Sequence, residues 1–330
     1  MTRCKLCCLA AVTVLFAAAP ASLHAAAKYT IKFGSANEPD HYHTLAGNKF
    51  AELVKARTNG EVEVNHFPAQ QLGTEPEMVS LTQGGTMQMV NVSPGNLGNY
   101  VKEYQVMLCP FLWRDYAHLQ KTMEGPIGKE LADKLLASNG LMVLDTLWVN
   151  GARHLTTKSV MVSKPDDLKG VKIRSPQAPI YLAAVKSLGA VPVPIDFGEL
   201  YMALQQGVAE GQENALGTID SKKYYEVQKN VFLTGHIYQS QVIAMNARFF
   251  NSLPKPYQKV ILGAVKEARG YNNKLQLEAD AKALEKFTKL GMKISTPNVE
   301  LFRENAKKYM AELYPIWGGQ QLYDRIVAVK

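Results

Sequence analysis

The spacing of apolar and polar positions predicts an alternation of strands and helices from residue 28 onward. Tyr29–Phe33 alternates between apolar and polar side chains, as a half-buried strand does. Within residues 44–57 the apolar side chains recur on one helical face, and Asn59-Gly60 ends that helix. Residues 62–64 start a second strand, and residues 87–92 form a short, buried third strand. This order predicts a parallel sheet with crossover helices.

Three further helices are predicted along the chain. Thr74 and Glu77 have the spacing of a capping box, so a helix begins there and runs toward Gly84-Gly85. Residues 256–290 contain few helix breakers and keep apolar side chains at helical spacing. At 1.5 Å per residue this helix extends roughly 50 Å if it is continuous. A last helix is predicted over Val299–Tyr314.

The order of strands and helices starts again at Val171, which predicts a second lobe built like the first. The apolar strand Leu141–Val149 passes from the first lobe to the second, and Val242–Asn246 is the return. The predicted division places lobe I at residues 28–150 plus about 239–278, and lobe II at residues 151–238 plus about 279–330.

The first 27 residues have the three parts of a secretory signal peptide. Arg3 and Lys5 give a positive start, residues 6–19 form an apolar run too short for a spanning helix, and Ala25-Ala26-Ala27 is a small-residue cleavage site. We expect cleavage near Ala27 and a soluble protein exported to the periplasm. A retained membrane anchor is the alternative, which the short apolar run disfavours.

Charge and cysteine content narrow the class of protein. Removing 27 of the 330 residues leaves 303, with 35 basic and 29 acidic side chains and a net charge of +6. The lysines are spread along predicted helices without a basic run, so we expect no nucleic-acid partner. Of the 4 cysteines only Cys109 remains. We expect it to be a small buried side chain rather than a catalytic thiol.

Common enzyme and metal motifs are missing from the sequence. It has no phosphate-binding loop, no Gly-x-Ser-x-Gly elbow and no His-Glu-x-x-His. His41 and His43 lie two residues apart, but no Cys or third His follows at ligand spacing, so we predict a surface loop, no metal site and no cofactor. A catalytic triad assembled from distant residues stays open.

Residues 171–214 bring an Arg and an Asn to the ends of predicted strands. The strand Val171–Arg174 ends in Arg174, and Gly211–Asn214 ends in Asn214. In open α/β sheets the carboxyl ends of strands face the ligand crevice. Arg holds a carboxylate through two parallel hydrogen bonds. The pattern predicts a carboxylate receptor, and the alternative is an Arg174 that pairs with an internal Asp or Glu.

These motifs, in this order and spacing, resemble the solute-binding subunit of tripartite ATP-independent periplasmic (TRAP) transporters, in the dicarboxylate-binding-protein family. The resemblance covers almost the whole mature chain, and the further motifs that carry it are Gln71-Leu72-Gly73, Pro110–Asp115, Asn150–Arg153, Leu168-Lys169-Gly170 and Leu233–His236. It implies an α/β fold, a two-lobed clamshell of the periplasmic-binding-protein type with a long helix spanning both lobes. It also implies a monomer that delivers a small carboxylate to TRAP membrane subunits.

The resemblance implies roles for particular polar residues. Arg174 matches the family's fixed clamp for the substrate carboxylate. Arg153 matches a second contact whose use varies with the substrate, so a structural ion pair of Arg153 stays open. Asn214 matches a polar ligand contact, although Glu210 and Ala215 stand where family members commonly have Asp and Pro.

Aromatic and loop residues complete the predicted site. Phe197 matches the family's aromatic pocket position, and Trp148 is a candidate for the same apolar wall. Ser93 and Asn96 follow a strand of the first lobe and can supply its polar contacts, and Tyr238 is placed on the hinge side. The alternatives are core packing for the aromatic residues and a turn for the loop residues.

The leading hypothesis is a non-enzymatic receptor that closes two lobes on one small organic acid. A second hypothesis is an exported enzyme in which Arg174 orients an organic acid and Glu213 acts as base. A third is a ligand-presenting sensor protein, which needs the same clamshell. The identity of the acid stays open, and Arg153 favours one with an extra oxygen near the carboxylate or a second anionic group.

Overall fold

The computed structural model describes residues 27–330 as an α/β protein built on one continuous sheet. Its strands are β1 (Tyr29–Gly34), β2 (Val62–Phe67), β3 (Met89–Val92), β4 (Leu141–Thr157), β5 (Lys172–Ser175), β6 (Val191–Pro194), β7 (Gly211–Ala215), β8 (Asn230–Asn246) and β9 (Lys293–Ser295). The sheet order is β2-β1-β3-β8-β4-β7-β5-β6, and β9 pairs with β8. The predicted signal peptide lies outside the described residues, apart from Ala27.

Two groups of parallel strands flank a central pair of long antiparallel strands. β1 pairs in parallel with β2 and β3, and β5 does so with β6 and β7. β4 and β8 have 17 residues each and join the two groups. The predicted crossing and returning segments are therefore one end of each long strand. The two-lobed α/β architecture expected from the sequence is confirmed.

Helices connect the strands in both lobes. They are α1 (Tyr42–Arg57), α2 (Glu75–Gly84), α3 (Pro94–Leu97), α4 (Tyr116–Met123), α5 (Pro126–Asn139), α6 (Pro179–Ser187), α7 (Leu200–Gln206), α8 (Leu216–Ser221), α9 (Ala247–Ser252), α10 (Lys255–Lys289), α11 (Val299–Lys308), α12 (Met310–Leu313) and α13 (Gln320–Val327). Short 3₁₀ segments cover Lys102–Leu108, Pro165–Leu168, Tyr224–Glu226 and Tyr314–Trp317.

Helix α2 begins where the capping box predicts. Glu77 Oε2 accepts a hydrogen bond from the Thr74 backbone N–H at 2.7 Å, which satisfies a donor that the first turn leaves free. The helix ends at Gly84, and Gly85 follows in the left-handed conformation with φ 84°. Both ends of this helix are therefore set by local sequence.

The long helix α10 spans both lobes, as expected. Its 35 residues extend about 52 Å. Ile261 and Val265, in its first half, pack into an apolar cluster with Phe33 of the first lobe. Phe287, near its end, packs into a separate cluster with Leu200 of the second lobe. One helix thus supports both cores.

The middle of α10 contacts the crossing strand through polar side chains. Asn272 and Gln276 are buried there, and Asn272 Nδ2 donates to the Val149 carbonyl at 3.0 Å. The β4–β8 register shifts between Val149 and Gly151. Gly151 has φ 98°, and a Cβ on it would lie 2.7 Å from Gln276 Nε2. Only glycine suits this close approach.

The C-terminal segment differs from the predicted single helix. The helix expected over Val299–Tyr314 stops at Lys308, and the chain continues as α12 and a 3₁₀ turn. Pro315 lies in the first turn of the 3₁₀ segment, where its missing N–H costs no hydrogen bond. Beyond residue 309, the buried Trp317 joins the cluster that contains Leu119 of the first lobe. The same cluster contains Ile180 and Tyr181 of the second lobe, so this segment contacts both lobes.

Cys109, which lies within the described residues, is the small buried side chain expected from the sequence. Cys109 is free and buried, with 1% of its surface exposed. Burial raises the pKa of its thiol, so it stays protonated. Among the helices that the structure describes, none has the length and apolar character of a membrane-spanning helix.

Candidate functional site

A cavity of about 180 Å³ lies between the lobes, at the carboxyl ends of their parallel strands. Ligands bind at this edge of open α/β sheets. Its lining comes from loops and helix starts of the first lobe (Ala36, Asn37, Gln70, Thr74, Glu75, Pro76, Ser93, Asn96), from the two long strands (Asn150, Arg153, Gln239, Gln241) and from the second lobe (Arg174, Pro176, Gln177, Tyr181, Ile195, Asp196, Phe197, Asn214, Thr218). Six of the eight predicted contact residues are among them.

Arg174 is a buried cation in the cavity wall, with 1% of its surface exposed. Its Nε donates to the Ile195 carbonyl at 2.9 Å. Nη2 is buried without a hydrogen-bond partner, and no acidic residue of the described chain forms an ion pair with the guanidinium. Burial lowers the pKa of Arg174, yet arginine keeps its charge. The alternative of an internal acid partner for Arg174 is therefore wrong.

Arg153 lines the same cavity but has an acid partner. Its Nη2 donates to Glu213 Oε1 at 2.7 Å, its Nε donates to the other carboxylate oxygen, and its Nη1 donates to Gln239 Oε1 at 2.5 Å. The guanidinium also lies 5.2 Å from the ring centre of Tyr181. The structural ion pair that the sequence left open is present, so the charge of Arg153 is already balanced.

Glu213 joins Arg153 to a histidine. His236 Nε2 lies 3.2 Å from Glu213 Oε2, and all three side chains are buried. Burial alone would raise the pKa of Glu213, but Arg153 and His236 outweigh it and hold the pKa at about 2. Glu213 is thus a fixed anion that orients Arg153 toward the cavity.

Asn214 and Phe197 line the second-lobe side of the cavity. Asn214 Nδ2 donates to Gln212 Oε1 at 2.7 Å, which orients its amide. Phe197 is half-buried, and the ammonium of Lys222 lies 4.5 Å from its ring centre. The structure therefore brings both residues to the cavity that contains Arg174.

Ser93 and Asn96 line the first-lobe side and are already hydrogen-bonded to the protein. Ser93 Oγ and the Tyr181 hydroxyl lie 2.6 Å apart, and this bond joins the two lobes. Asn96 Nδ2 donates to Glu75 Oε2 at 2.6 Å. Ser93 also caps α3 by accepting from Gly95 N at 3.3 Å. Ser93 therefore caps a helix and lines the cavity at the same time.

Trp148 does not line the cavity, which corrects the sequence-based prediction. It is fully buried in the first-lobe cluster with Phe50 of α1 and Ala268 of α10. Asn150, two residues further along β4, is the side chain that reaches the cavity. Because α1 and α10 cover this part of the strand, the indole fills core volume below the site.

Tyr238 is also absent from the cavity wall. It is half-buried and packs against the cluster around Leu119. Side chains of a strand alternate between two faces. Gln239 and Gln241 of the same strand reach the cavity, so Tyr238 lies on the opposite face. The alternation could have identified the two glutamines, which the sequence analysis missed.

Two carboxylates in the lining were missed as well. Glu75 lies at the first position of α2, and its Oε2 accepts from Ser93 N at 3.0 Å as well as from Asn96. Burial raises the pKa of Glu75, and these hydrogen bonds oppose the shift. Asp196 follows β6, and its Oδ1 accepts from Gly198 N at 2.8 Å. Glu75 directly follows Thr74 of the capping box, and this position at the start of a helix could have identified it from the sequence.

The His41–His43 segment is not the predicted surface loop. His41 caps α1, and His43 is buried in its first turn. His43 Nδ1 lies 2.7 Å from Asn272 Oδ1, and Nε2 lies 3.1 Å from Asn150 Oδ1. Burial lowers the pKa of His43 to about 4. This neutral histidine links α1 to the crossing strand, and residues 27–330 contain no group of side chains suited to a metal ion.

An ion pair bridges the lobes next to the cavity. Lys222, at the end of α8 in the second lobe, contacts Glu38 of the first lobe at 2.5 Å between Nζ and Oε1. Both side chains are largely buried, with 14% and 29% of their surfaces exposed. The Lys222 ammonium also lies over the ring of Phe197. The lysine therefore contacts both the cavity wall and the opposite lobe.

The chain is similar in sequence to bacterial extracellular solute-binding proteins. Residues 33–315 match the family model described as bacterial extracellular solute-binding protein, family 7. The chain is 34% identical over 271 residues to the 2,3-diketo-L-gulonate-binding periplasmic protein YiaO of Escherichia coli (strain K12), which covers 82% of each chain.

Solved structures with a similar fold are also periplasmic solute-binding proteins. A TRAP periplasmic solute binding protein from a Polaromonas species, bound to D-erythronate, has a TM-score of 0.86 and 33% identity, covering 92% of this chain and 99% of that one. Another, from Sulfurospirillum deleyianum with bound succinate, has a TM-score of 0.86 and 32% identity, covering 92% of this chain and 100% of that one.

Proposed function

The chain belongs to family 7 of the bacterial extracellular solute-binding proteins, and from this we propose that it captures one small organic acid in the periplasm. It delivers the acid to the membrane subunits of a TRAP transporter. The protein acts as a monomer whose lobes close on the ligand, and closure gives the transporter a single shape to recognise. The signal peptide, cleaved near Ala27, exports it.

The observation that carries this proposal is the state of Arg174. A buried guanidinium with one protein acceptor and no acid partner in the described chain has donors left for a ligand. A carboxylate satisfies them through two parallel hydrogen bonds and balances the charge. Such pairing offsets the desolvation of both ions, which an amide of the same shape cannot do.

The ligands named for similar proteins are compatible with this chemistry. The Escherichia coli relative is named for 2,3-diketo-L-gulonate, and the two solved structures hold D-erythronate and succinate. Each of these molecules presents at least one carboxylate. We infer that Arg174 of this chain holds the corresponding group of its own ligand, with Asn214 and Phe197 beside it.

We infer further that the protein does not catalyse a reaction on the acid. The enzyme hypothesis used Glu213 as a base. With a pKa of about 2 and both carboxylate oxygens hydrogen-bonded by Arg153, Glu213 is a poor proton acceptor near neutral pH. Incubation of the acid with the protein should therefore leave the acid unchanged in an NMR time course.

The proposal predicts that Arg174→Ala abolishes high-affinity acid binding. Residues 28–330, unfolded and refolded to remove carried ligand, are screened by thermal shift against mono-, di- and sugar carboxylates and their amides. A ligand at 100 times its Kd adds about 2.7 kcal/mol, which raises Tm by a few degrees. The Arg174→Ala variant should bind weaker by roughly 2–5 kcal/mol, because a buried ion pair is lost.

Arg57→Ala is the matched control, since Arg57 is exposed and pairs with Glu267 on the first-lobe surface. It should leave every acid-induced shift unchanged. An acid that binds Arg174→Ala as tightly as it binds the unmodified chain would remove Arg174 from the site. Equal shifts with acids and with their amides would contradict carboxylate recognition altogether.

A further inference from the structure

Charged groups in the cavity wall are not all of one sign. Arg174 has no acid partner, while Arg153 is balanced by Glu213. Glu75 of the first lobe and Asp196 of the second also line the cavity, and neither forms an ion pair within the described residues. The uncompensated charges are therefore one cation and two carboxylates.

This charge balance disfavours a second carboxylate on the ligand. One ligand carboxylate is balanced by Arg174. A second one in the same small cavity has no free cation to meet and shares the space with Glu75 and Asp196, and like charges repel strongly where water is scarce. Arg153 offers little to a second anionic group, because Glu213 balances its charge and Glu213 and Gln239 together accept hydrogen bonds from Nε, Nη1 and Nη2.

Hydroxyl groups suit the same carboxylates. A ligand hydroxyl can donate to an ionised carboxylate, and such charge-assisted hydrogen bonds are stronger than neutral ones. Glu75 Oε2 receives hydrogen bonds from Ser93 and Asn96, whereas Oε1 accepts none from the described residues. A donor from the ligand can complete this carboxylate.

The amide side chains of the cavity favour hydroxyl groups as well. Gln70, Gln177, Gln239 and Gln241 line the cavity, and an amide both donates and accepts, as a hydroxyl does. The Oε1 atom of Gln241 is buried and receives no hydrogen bond within the described chain. A ligand hydroxyl can donate to an amide oxygen, and a carboxylate cannot.

We propose that Glu75 determines specificity and that the ligand is a polyhydroxy monocarboxylate. Its single carboxylate pairs with Arg174, its hydroxyl groups donate to Glu75, and Glu75 together with Asp196 rejects acids with a second carboxylate. This inference rests on the proposed function of the cavity. The two similar structures hold one ligand of each kind, D-erythronate and succinate, so family membership alone does not choose between them.

The test uses ligand pairs that differ only at the end remote from the first carboxylate. D-Erythronate is compared with meso-tartrate, and D-galactonate with galactarate, since each second member has a carboxylate in place of the terminal CH₂OH. Butyrate, which lacks hydroxyl groups, is included. Kd values are measured by isothermal titration calorimetry on refolded residues 28–330.

We expect the hydroxyl-terminated member of the better-bound pair to bind at least about 10-fold tighter than its diacid, the factor that about 1.4 kcal/mol of repulsion produces. Butyrate should bind more weakly than D-erythronate. Glu75→Gln should reduce the preference within that pair by about 10-fold, because the amide removes the negative charge. Glu285→Gln, an exposed residue on α10, is the matched control and should keep the preference.

Several outcomes would overturn the inference. Diacid binding equal to or tighter than that of the hydroxyl-terminated partner would do so, as would a panel in which neither D-erythronate nor D-galactonate binds. If Glu75→Gln weakens both members of a pair equally, Glu75 only holds the Ser93 and Asn96 loop. If Glu75→Gln does not fold, the ratio of the two Kd values within each pair is measured on the unmodified chain and on Asp196→Asn instead. The preference of the unmodified chain for the hydroxyl-terminated acid should then decrease in Asp196→Asn.

Failure of the proposed function has a different result. In that case Arg174→Ala retains acid binding, or no carboxylate binds at all. A preference for diacids that depends on Arg174 overturns the specificity inference alone and leaves the receptor function standing.

Discussion

At the scale of single residues, two buried arginines in one cavity have different electrostatic surroundings. Arg153 is paired with Glu213, whereas Arg174 donates only to a backbone carbonyl among the described residues. Burying two paired ions costs less than burying one alone. Arg153 is therefore a preassembled part of the wall, and Arg174 is the group that a ligand can complete.

The Arg153–Glu213 pair gives a prediction about stability and pH. The folded pKa of Glu213, about 2, lies below the ordinary value of 4.5. Its ionised form therefore stabilises the fold above pH 4.5, and this contribution is lost as the pH falls toward 2. Glu213→Gln should lower the free energy of unfolding by roughly 3–5 kcal/mol at pH 7, since Arg153 is left buried without its partner.

Denaturant unfolding of both proteins at pH 7 and at pH 3 measures this effect. The stability difference between them should be smaller at pH 3. Glu285→Gln removes an exposed partner of Lys289 and should change stability by less than about 1 kcal/mol at either pH. A difference that stays constant between the two pH values would show that charge pairing is not the cause.

At the scale of secondary-structure elements, the contact between α10 and the crossing strand β4 holds the two lobes on one support. Asn272 bonds the Val149 carbonyl, and Gln276 presses against Gly151 where the strand register shifts. Gly151 is buried with positive φ. The close approach of helix and strand depends on the missing side chain.

We predict that Gly151→Ala destabilises the protein by roughly 1–3 kcal/mol. The left-handed backbone is strained for alanine, and the added Cβ would lie 2.7 Å from Gln276 Nε2. Gly263→Ala on α10 is the opposite control. A Cβ there meets no atom within 4 Å, so Gly263→Ala should raise the free energy of unfolding by roughly 0.5–1 kcal/mol. Thermal and denaturant unfolding measure the change in stability of each variant. If both substitutions stabilise the protein, or both destabilise it, this account of Gly151 is contradicted.

At the scale of the whole molecule, contacts between the lobes complete the cavity. Lys222 pairs with Glu38 across the lobes and stacks on Phe197 of the cavity wall, and Ser93 bonds Tyr181. The Lys222–Glu38 and Ser93–Tyr181 contacts need the lobes to be together, whereas Lys222 and Phe197 both belong to the second lobe. Any contact that exists only in the closed state slows opening and so prolongs the lifetime of the complex.

Removing the bridging lysine should therefore weaken ligand binding. We predict that Lys222→Ala raises the Kd of the acid roughly 2–5-fold, mainly through faster dissociation, because the ion pair with Glu38 is lost from the closed state and a partly exposed ion pair is worth up to about 1 kcal/mol. Stopped-flow fluorescence measures both rate constants.

Lys286→Ala is a matched control for that experiment. Lys286 pairs with Asp220 at 2.6 Å and lies 4.5 Å from the ring centre of Tyr225, the same two interactions, but on the second lobe alone. It should leave the dissociation rate unchanged. If both lysine variants accelerate dissociation equally, closure of the lobes is not what Lys222 controls.

Much of the fold was predictable because the relevant interactions are local. The α2 boundaries follow from Thr74, Glu77 and the glycines after it, and the apolar spacing of residues 256–290 defined α10 to within a residue at each end. The final segment was not predictable in this way. Its break near Tyr309 and its packing on the first lobe depend on where Trp317 finds a partner far away in sequence.

The sequence by itself determined the two-lobed α/β architecture, the crossing strands, the family and the place of Arg174 at a strand end, because periodicity, capping and motif order are encoded in neighbouring residues. Only the tertiary structure decided that Arg153 is neutralised by Glu213, that Trp148 belongs to the core, and that Glu75 and Asp196 share the cavity with Arg174. Those outcomes depend on which side chains from distant segments meet, and spacing along one chain does not specify such contacts.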